Sequence, residues 1–398
     1  MQSTIPFNLK NMITDEPIII YGASVCGELA YLALQRLGLS PRYYCDRHRE
    51  GTCFGVEIMS PHRLHDFLDA NIIIASRDYF FEMKDYLIDI GCKHIFDMRE
   101  LLSMELPINN MSNRARDMYF GKAAYIDIAA HQDNTKINFH RIQFVVTERC
   151  SLKCRDCTHL MQYYEHPQDV DIDEYEYAFE RFFNLADNIS ELRILGGEPF
   201  MNKSMHKIIL QYSPTEKIRS ISVYTNGTII PKGELLDSLK NDKVIVHISN
   251  YIHNEKSVIT LMNKLEACGI KYFVRKYDSW QDGGGLDYRG YSTKEMQAVF
   301  SRCYERSCYT FFRGKLHRCP RSAHAMNLGA MPDVPEDYVD FMDKDMSNEV
   351  LREHLIRLRE RTWVTACNYC QGPDYATQNI PAAIQIREPL PYHKCNTP

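Results

Sequence analysis

Strand-length apolar runs alternate with helical segments in two separate parts of this chain. The runs of the first part lie at 17–21, 42–45, 71–75 and 94–96. The runs of the second part lie at 142–147, 192–195, 219–224, 243–248 and 270–275. Strands that are joined through helices form parallel sheets with helices on their faces. The pattern therefore predicts an α/β fold, with a doubly wound sheet followed by a partial β/α barrel.

The chain is too long for one ordinary core, because 398 residues exceed the usual size of a single domain. The stretch between the two series is polar and irregular, apart from one candidate helix near Ala115–Ala124. After about residue 300 the periodicity weakens and cysteines become frequent. We therefore predict four segments: a Rossmann-like domain at 1–105, a connector at 106–140, a partial barrel at 141–300 and a small cysteine-rich extension at 301–398.

Charge and hydropathy exclude several classes of partner. A net charge of -5 and a sequence pI of about 6.3 give no basic footprint for nucleic acid or for an anionic membrane surface. The longest apolar runs have the length of strands, far short of a membrane span. The first ten residues lack the basic and apolar regions of a signal peptide. We expect a cytoplasmic protein without a nucleic-acid or membrane partner.

Fourteen cysteines are present, and in a large chain without a secretion signal they do not indicate a disulfide framework. Several are scattered in apolar segments, where a thiol acts as a small core residue. These scattered residues are Cys26, Cys45, Cys53, Cys92 and Cys268. Two further groups have the spacing of metal ligands.

The first group, Cys150, Cys154 and Cys157, follows the first strand of the second series. Thiolates bind soft metals and iron–sulfur clusters. Three of them hold three corners of a cubane and leave the fourth iron free for an exogenous ligand. A zinc site that recruits His159 as its fourth ligand is the alternative.

This C-x3-C-x2-C spacing resembles the signature of the radical S-adenosylmethionine (SAM) superfamily. A second segment, Gly196-Gly197-Glu198-Pro199, ends the next strand and resembles the GGEP motif of that family. The resemblance implies a partial (β/α)6 barrel and a [4Fe–4S] cluster on the three cysteines. It also implies that Gly197 and Glu198 bind the amino group of SAM. Asp156 departs from the family pattern, because an aromatic residue usually precedes the third cysteine.

Later strand ends supply further candidates for SAM binding. Thr225 and Asn226 follow the third strand of this series, and Ser249 follows the fourth. Their side chains are candidates for hydrogen bonds to the ribose and carboxylate of SAM. Ordinary polar turn residues are the alternative interpretation.

The second cysteine group consists of Cys303, Cys319, Cys367 and Cys370, with a hairpin turn at Gly314 between the first two. A C-x2-C pair binds a metal through two thiolates, and two more cysteines complete a four-ligand site. The order resembles the Twitch form of the SPASM extension. That resemblance implies one auxiliary [4Fe–4S] cluster on these four residues. Cys308 competes with Cys303 as first ligand, and a structural zinc site is the alternative.

The N-terminal part carries a degenerate nucleotide-binding turn. Gly22, Ser24 and Gly27 lie between a strand and a helix, and Asp46 ends the second strand, where dinucleotide folds place a ribose-binding acid. The longer stretch resembles the nucleotide-sugar-binding domain of bacterial sugar acyltransferases. That resemblance implies recognition of a nucleotide-linked sugar. A domain kept for packing or assembly is the alternative.

The radical SAM resemblance implies an oxidoreductase of the dehydrogenase or epimerase type, reduced by a flavodoxin- or ferredoxin-type donor. It implies reductive cleavage of SAM to a 5′-deoxyadenosyl radical, which abstracts hydrogen from a substrate C–H bond. We expect the substrate to be a sugar or nucleotide-sugar, with a place in carbohydrate biosynthesis. The alternatives are a maturase of ribosomal peptides and a non-catalytic, zinc-bound scaffold that binds nucleotide-sugars. No residue is singled out as general acid or base.

Overall fold

The structure is a computed structural model, and it describes residues 13–76, 79–120, 136–251, 253–374 and 377–395. They form a mixed α/β fold, as the sequence predicts. The chain divides into two compact units, Met1–Ala129 and Ala130–Pro398. The finer division into four segments stays a prediction. Within the described ranges, no helix has the length and apolar character that crossing a membrane requires.

The first unit contains one six-stranded sheet. Its strands are β1 (Ile18–Tyr21), β2 (Tyr43–Cys45), β3 (Thr52–Cys53), β4 (Val56–Met59), β5 (Asn71–Ile74) and β6 (His94–Asp97). Its helices are α1 (Val25–Arg36), α2 (Phe80–Asp89) and α3 (Asn113–Phe120). The strand order is β3-β4-β2-β1-β5-β6, and every pair is parallel except β3 with β4.

Helices cover both faces of this sheet. Successive residues of a strand point to opposite faces, so neighbouring residues of β1 pack against different helices. Ile20 lies in the same apolar cluster as Leu29 of α1 and Ala115 of α3. Its neighbour Ile19 lies in a second cluster with Leu87 of α2. Helix α3 lies in the stretch that the sequence predicts as a connector and overlaps the helix predicted near Ala115–Ala124. It ends at Phe120, and the last four residues of the predicted helix, 121–124, lie outside the described ranges.

The second unit is built on an eight-stranded sheet. Its strands are β7 (Asn138–Thr147), β8 (Asn188–Gly196), β9 (Ile218–Thr225), β10 (Val244–Asn250), β11 (Tyr272–Lys276), β13 (Tyr309–Phe312), β14 (Lys315–His317) and β15 (Tyr338–Asp340). A separate two-stranded sheet pairs β12 (Ser279–Gln281) with β16 (Asn379–Pro381). The helices are α4 (Glu176–Leu185), α5 (His206–Tyr212), α6 (Glu234–Ser238), α7 (Glu255–Ala267), α8 (Thr293–Arg302), α9 (Pro320–Asn327) and α10 (Asn348–Glu360).

The large sheet has the order β11-β10-β9-β8-β7-β13-β14-β15. The pairs from β11 to β13 are parallel, and β14 and β15 add antiparallel strands. An aromatic cluster joins the two parts, because the ring of Phe144 on β7 stacks on Phe311 of β13 with centroids 5.3 Å apart. Phe179 of α4 contacts both rings. The cysteine-rich region thus shares a sheet with the β/α series that precedes it.

A buried charge cluster occupies β7 and β8. Glu191 accepts a hydrogen bond from Arg141 at 3.2 Å and pairs with Arg193 at 2.9 Å. The side chain of Glu191 is only 5% exposed, so burial alone would raise its pKa. The two guanidinium groups outweigh burial and hold the pKa of Glu191 well below its ordinary value of 4.5. The carboxylate is therefore a buried counter-ion that both arginines share.

Replacing Glu191 with Gln should destabilise the protein by about 3–5 kcal/mol at neutral pH, because two buried cations lose their counter-ion. A lowered carboxyl pKa stabilises the fold fully at pH values above the ordinary pKa, and this stabilisation declines progressively as pH falls from there towards the lowered pKa. The difference between the variant and the unmodified protein should therefore shrink below about pH 4.5. Urea denaturation at several pH values measures it.

Glu234→Gln is the matched control, because the side chain of Glu234 is 84% exposed. It should change the free energy of unfolding by no more than about 0.5 kcal/mol. If Glu191→Gln behaves like this control, the charge cluster does not stabilise the fold.

Candidate functional site

Most of the residues singled out in the second series lie at one edge of the large sheet. The cysteine loop, defined as residues 148–157, follows β7, and the Gly196–Pro199 segment ends β8. Thr225 ends β9, and Ser249 is the penultimate residue of β10. These strands are parallel, so their carboxyl ends meet at the same edge, where α/β proteins form their ligand sites.

The three thiols of the cysteine loop lie close together. Cys150 is within Coulombic range of both Cys154 and Cys157. Burial raises the pKa of all three thiols, in the case of Cys154 to about 12. Burial therefore disfavours the thiolate forms, and a metal that binds these thiols must displace their protons.

Each sulfur also receives N–H donors. The backbone N–H of Leu152 donates to Cys150, and the side-chain amide of Asn226 lies 3.6 Å from the same sulfur. Two backbone N–H groups, of His159 and Met161, donate to Cys157. Donors around a sulfur favour the thiolate, which is the metal-binding form. The surroundings of the loop therefore suit three metal-bound thiolates.

A single metal ion is the alternative to a cluster at these sulfurs. Across the described ranges, no group of three or more His, Cys, Asp or Glu side chains is arranged to hold one metal ion. A cubane distributes its thiolates over separate irons, so its ligands are close without converging on a point. The ring of His159, the alternative fourth ligand, packs edge-on against His324 with centroids 5.8 Å apart.

The turn after β8 lies directly against the cysteine loop. The N–H of Gly197 donates to Thr147 at 2.9 Å, and the N–H of Glu198 donates to the carbonyl oxygen of Arg149 at 2.8 Å. A Cβ on Gly197 would lie 2.2 Å from that carbonyl oxygen and 2.9 Å from the Cβ of Cys150. Gly196 has φ +153°, and a Cβ on it would clash with the backbone of Thr147. Only glycine permits this approach.

Glu198 connects the ends of β8 and β9. Its carboxylate accepts hydrogen bonds from the Thr225 hydroxyl and the Asn226 N–H, both at 2.8 Å, and from the Phe200 N–H at 3.2 Å. The side chain is fully buried, and burial raises its pKa to about 7 despite these donors. The groups that lower this pKa are the neutral hydrogen-bond donors Asn226, Thr225 and Phe200.

The remaining candidates of this unit have local partners. Asn226 donates to the Ser151 hydroxyl at 3.1 Å and accepts from the Thr228 N–H at 3.0 Å, which places its carboxamide against the cysteine loop. The carbonyl of Ser249 accepts from Asn254 at 3.0 Å. Pro199 is buried and begins a short 3₁₀ turn.

Sequence reasoning missed the C-terminal segment, defined here as residues 379–395. The segment begins with β16, which pairs with β12. Farther along the segment, Gln385 forms an isolated antiparallel bridge with Cys154. Farther along, Tyr392 packs edge-on against Tyr163 with centroids 5.7 Å apart. No local pattern marks such a contact, because 231 residues separate Gln385 from Cys154.

The structure brings the second cysteine group together. Cys303 lies close enough to Cys319 and Cys370 for their charged forms to repel each other. Cys319 has the same relation to Cys367 and Cys370. Burial raises the pKa of Cys303, Cys319 and Cys367, the last to about 12. Backbone N–H groups of Ser322 and Gly372 donate to Cys319 and Cys370, each at 3.3 Å.

Cys308 has a different environment from this group. A guanidinium N–H of Arg141 donates to its sulfur at 3.3 Å, and burial raises its pKa to about 12. The charges that act on it are those of Glu305, Arg141 and Arg193. The structure therefore places Cys303, and not Cys308, beside the other three cysteines.

The N-terminal candidates lie together at the carboxyl edge of the six-stranded sheet of the first unit. Asp46 accepts from the Ala23 N–H at 2.8 Å, so it is fixed against the turn that contains Gly22 and Ser24. A Cβ on Gly22, whose φ is +119°, would lie 2.4 Å from the Ala75 carbonyl oxygen. One on Gly27 would lie 2.1 Å from the Gly22 carbonyl oxygen, so helix and strand pack closely. Ser24 is exposed.

Comparison with known families and sequences finds matches in one part of the chain. Residues 144–271 match the radical SAM superfamily, whose members use SAM and a [4Fe–4S] cluster. The chain is 30% identical over 98 residues to a GTP 3′,8-cyclase of Stenotrophomonas maltophilia strain K279a, covering 24% of this chain and 29% of the cyclase. It is 28% identical over 133 residues to that of Aquifex aeolicus, covering 31% and 39%. The chain thus spans only about a third of the length of these relatives.

Solved structures that match this chain include three proteins with SAM bound. They are anSMEcpe with bound AdoMet (TM-score 0.38, 13% identity, 60% of this chain and 89% of that one), SuiB of Streptococcus suis bound to S-adenosylmethionine (0.30, 14%, 50% and 45%) and BtrN in complex with AdoMet and 2-DOIA (0.38, 12%, 60% and 94%).

Replacing Gly197 with Ala should displace the cysteine loop, because the new Cβ collides with the backbone of Arg149. After anaerobic reconstitution with iron and sulfide, we expect cluster content at this loop to fall by about tenfold or more, as for other changes around metal ligands. The electron paramagnetic resonance signal that changes when SAM is added measures it, because total iron also counts any cluster on the second cysteine group, and circular dichroism verifies folding. Gly285→Ala is the control, because its Cβ would have no neighbour nearer than 3.6 Å. Normal cluster content in Gly197→Ala would contradict the contact.

Proposed function

We propose that this chain is a radical SAM enzyme whose [4Fe–4S] cluster is held by Cys150, Cys154 and Cys157. One observation carries the proposal: three neighbouring thiols, Cys154 buried and the other two half-buried, each have an N–H donor and lie at the carboxyl edge of a parallel sheet within residues 144–271. Three sulfurs suit a cluster with one iron left free for an exogenous ligand. When bound, the cluster and SAM supply a 5′-deoxyadenosyl radical able to abstract hydrogen from a C–H bond.

The protein's own residues bind and orient SAM in this proposal. Gly196 and Gly197 let the turn after β8 lie against the end of β7 and the cysteine loop, where a side chain would collide. Glu198 provides a buried negative charge whose present partners are neutral donors, so an ammonium group beside it supplies the missing cation. Thr225, Asn226 and Ser249 line the adjoining strand ends, where they are candidates for polar contacts with SAM.

We assign the auxiliary [4Fe–4S] cluster to Cys303, Cys319, Cys367 and Cys370. Four neighbouring thiols, Cys367 buried and the other three half-buried, support that assignment. When bound, such a cluster would supply an acceptor for one electron from a substrate radical, and the net reaction would then be an oxidation. A flavodoxin- or ferredoxin-type protein is the proposed source of the electron that starts turnover.

We propose a sugar or nucleotide-sugar as the substrate, oxidised or epimerised at carbon. The first unit supports this choice, because its parallel strands have the order β4-β2-β1-β5-β6. If the antiparallel β3 is left out and the parallel strands are numbered along the chain, this order is 3-2-1-4-5, which dinucleotide-binding sheets also use. Gly22, Ser24, Gly27 and Asp46 are its candidate nucleotide-binding residues, and they adjoin one turn at the edge where such folds bind ligands. Peptide maturation is the competing outcome of the experiment below.

Anaerobically reconstituted protein, supplied with SAM and reductant, should form 5′-deoxyadenosine faster with a nucleotide-sugar than without one. Product analysis by mass spectrometry identifies the oxidised or epimerised sugar. Stimulation by a peptide, and by none of a panel of sugars and nucleotide-sugars, would refute the sugar assignment. Cys154→Ala should abolish the cleavage, whereas Cys268→Ala, at a half-buried cysteine outside both groups, should leave it intact. Turnover retained in Cys154→Ala would refute the cluster assignment.

Cys367→Ala should separate the two clusters. It removes one proposed auxiliary ligand, so substrate oxidation should be lost while uncoupled SAM cleavage persists. Quantifying 5′-deoxyadenosine and oxidised substrate in the same reaction tests this division. Complete loss of SAM cleavage in a folded variant that keeps its first cluster would contradict it.

A further inference from the structure

The C-terminal segment is hydrogen-bonded to the cysteine loop along its backbone. The N–H of Arg155 donates to the carbonyl of Ile384, and the N–H of Ile386 donates to the carbonyl of Lys153, both at 2.8 Å. These two bonds flank the bridge between Cys154 and Gln385. The pairing therefore fixes the backbone of Gln385 opposite a cysteine that the proposed function makes a cluster ligand.

The side chain of Gln385 is oriented by its own contacts. Its carboxamide oxygen accepts from the Lys153 N–H at 2.8 Å, so the amide nitrogen must lie on the other side. That nitrogen donates to the carbonyl oxygen of Ala383 at 2.8 Å and to the sulfur of Cys154 at 3.1 Å. A donor at Lys153 and an acceptor at Ala383 together exclude the flipped carboxamide. The N–H bond to sulfur is thus set by geometry.

We propose that Gln385 is a positioning residue that donates a hydrogen bond to the Cys154 sulfur and thereby raises the reduction potential of the cluster held by Cys150, Cys154 and Cys157. The inference rests on the proposed function. One electron from the donor protein adds negative charge to the cluster, and its sulfur ligands carry part of that charge. An N–H donor on a sulfur stabilises the reduced form more than the oxidised form, so reduction becomes easier.

Two variants separate the donor from the backbone pairing. Gln385→Glu keeps an acceptor for the Lys153 N–H but replaces the donor to sulfur with a carboxylate oxygen. Gln385→Leu removes both groups. Both should fold, because Gln385 is exposed and substitutions at exposed positions usually change stability little.

Gln281→Leu is the matched control. Gln281 lies on β12, and its side-chain amide donates to Asn379 of the same C-terminal segment at 3.5 Å. The control therefore weakens the attachment of the segment without touching the Cys154 bond. A purely structural role for Gln385 predicts that Gln281→Leu and Gln385→Leu behave alike.

The test is a redox titration of the reconstituted protein, monitored by electron paramagnetic resonance of the signal that changes when SAM is added. In Gln385→Glu and Gln385→Leu, reduction should become about tenfold less favourable, a shift of about 59 mV to lower potential for one electron. Gln281→Leu should keep the potential of the unmodified protein. Equal potentials in all four proteins would overturn the inference while leaving the proposed function standing. If the unmodified protein forms no SAM-responsive cluster, the proposed function fails, and this inference fails with it.

Discussion

The closeness of two backbone segments underlies the whole site. Where β7 and β8 end side by side, the N–H groups of Gly197 and Glu198 donate to the carbonyls of Thr147 and Arg149. This pairing continues the parallel sheet beyond its last regular residues and holds the cysteine loop against the turn after β8. Because no Cβ fits at Gly197, the contact depends on glycine. The spacing between the three thiols and the buried carboxylate of Glu198 follows from it.

The same site brings together thiol and carboxyl groups whose negatively charged forms are disfavoured by burial. Burial raises the pKa values of the three thiols, and it raises that of Glu198 to about 7. Iron ions and an ammonium group are cations, so their binding compensates charges that burial alone disfavours. Binding is therefore coupled to proton release and to the stability of this edge of the sheet. Glu191 differs, because Arg141 and Arg193 already neutralise it within the protein.

Local sequence patterns predict this fold well where a single element decides the outcome. The apolar runs at 142–147 and 219–224 lie inside β7 and β9, and the turn at Gly314 joins β13 and β14. Pairing between distant segments was beyond such reasoning. Neither the parallel pairing of β13 with β7 nor the bridge from Gln385 to Cys154 has a local signal, since both depend on where a long chain returns. The choice between Cys303 and Cys308 likewise needed the position of Arg141, which donates to Cys308.

The most direct test of the central claim is whether one iron of the cluster at Cys150, Cys154 and Cys157 differs from its neighbours. Mössbauer spectra of protein reconstituted with iron-57, recorded with and without SAM, measure it. Three thiolate ligands predict that SAM changes the signal of about one iron in four of that cluster, since only one lacks a protein sulfur. Spectra in which saturating SAM leaves every iron of the cluster unchanged would contradict the account.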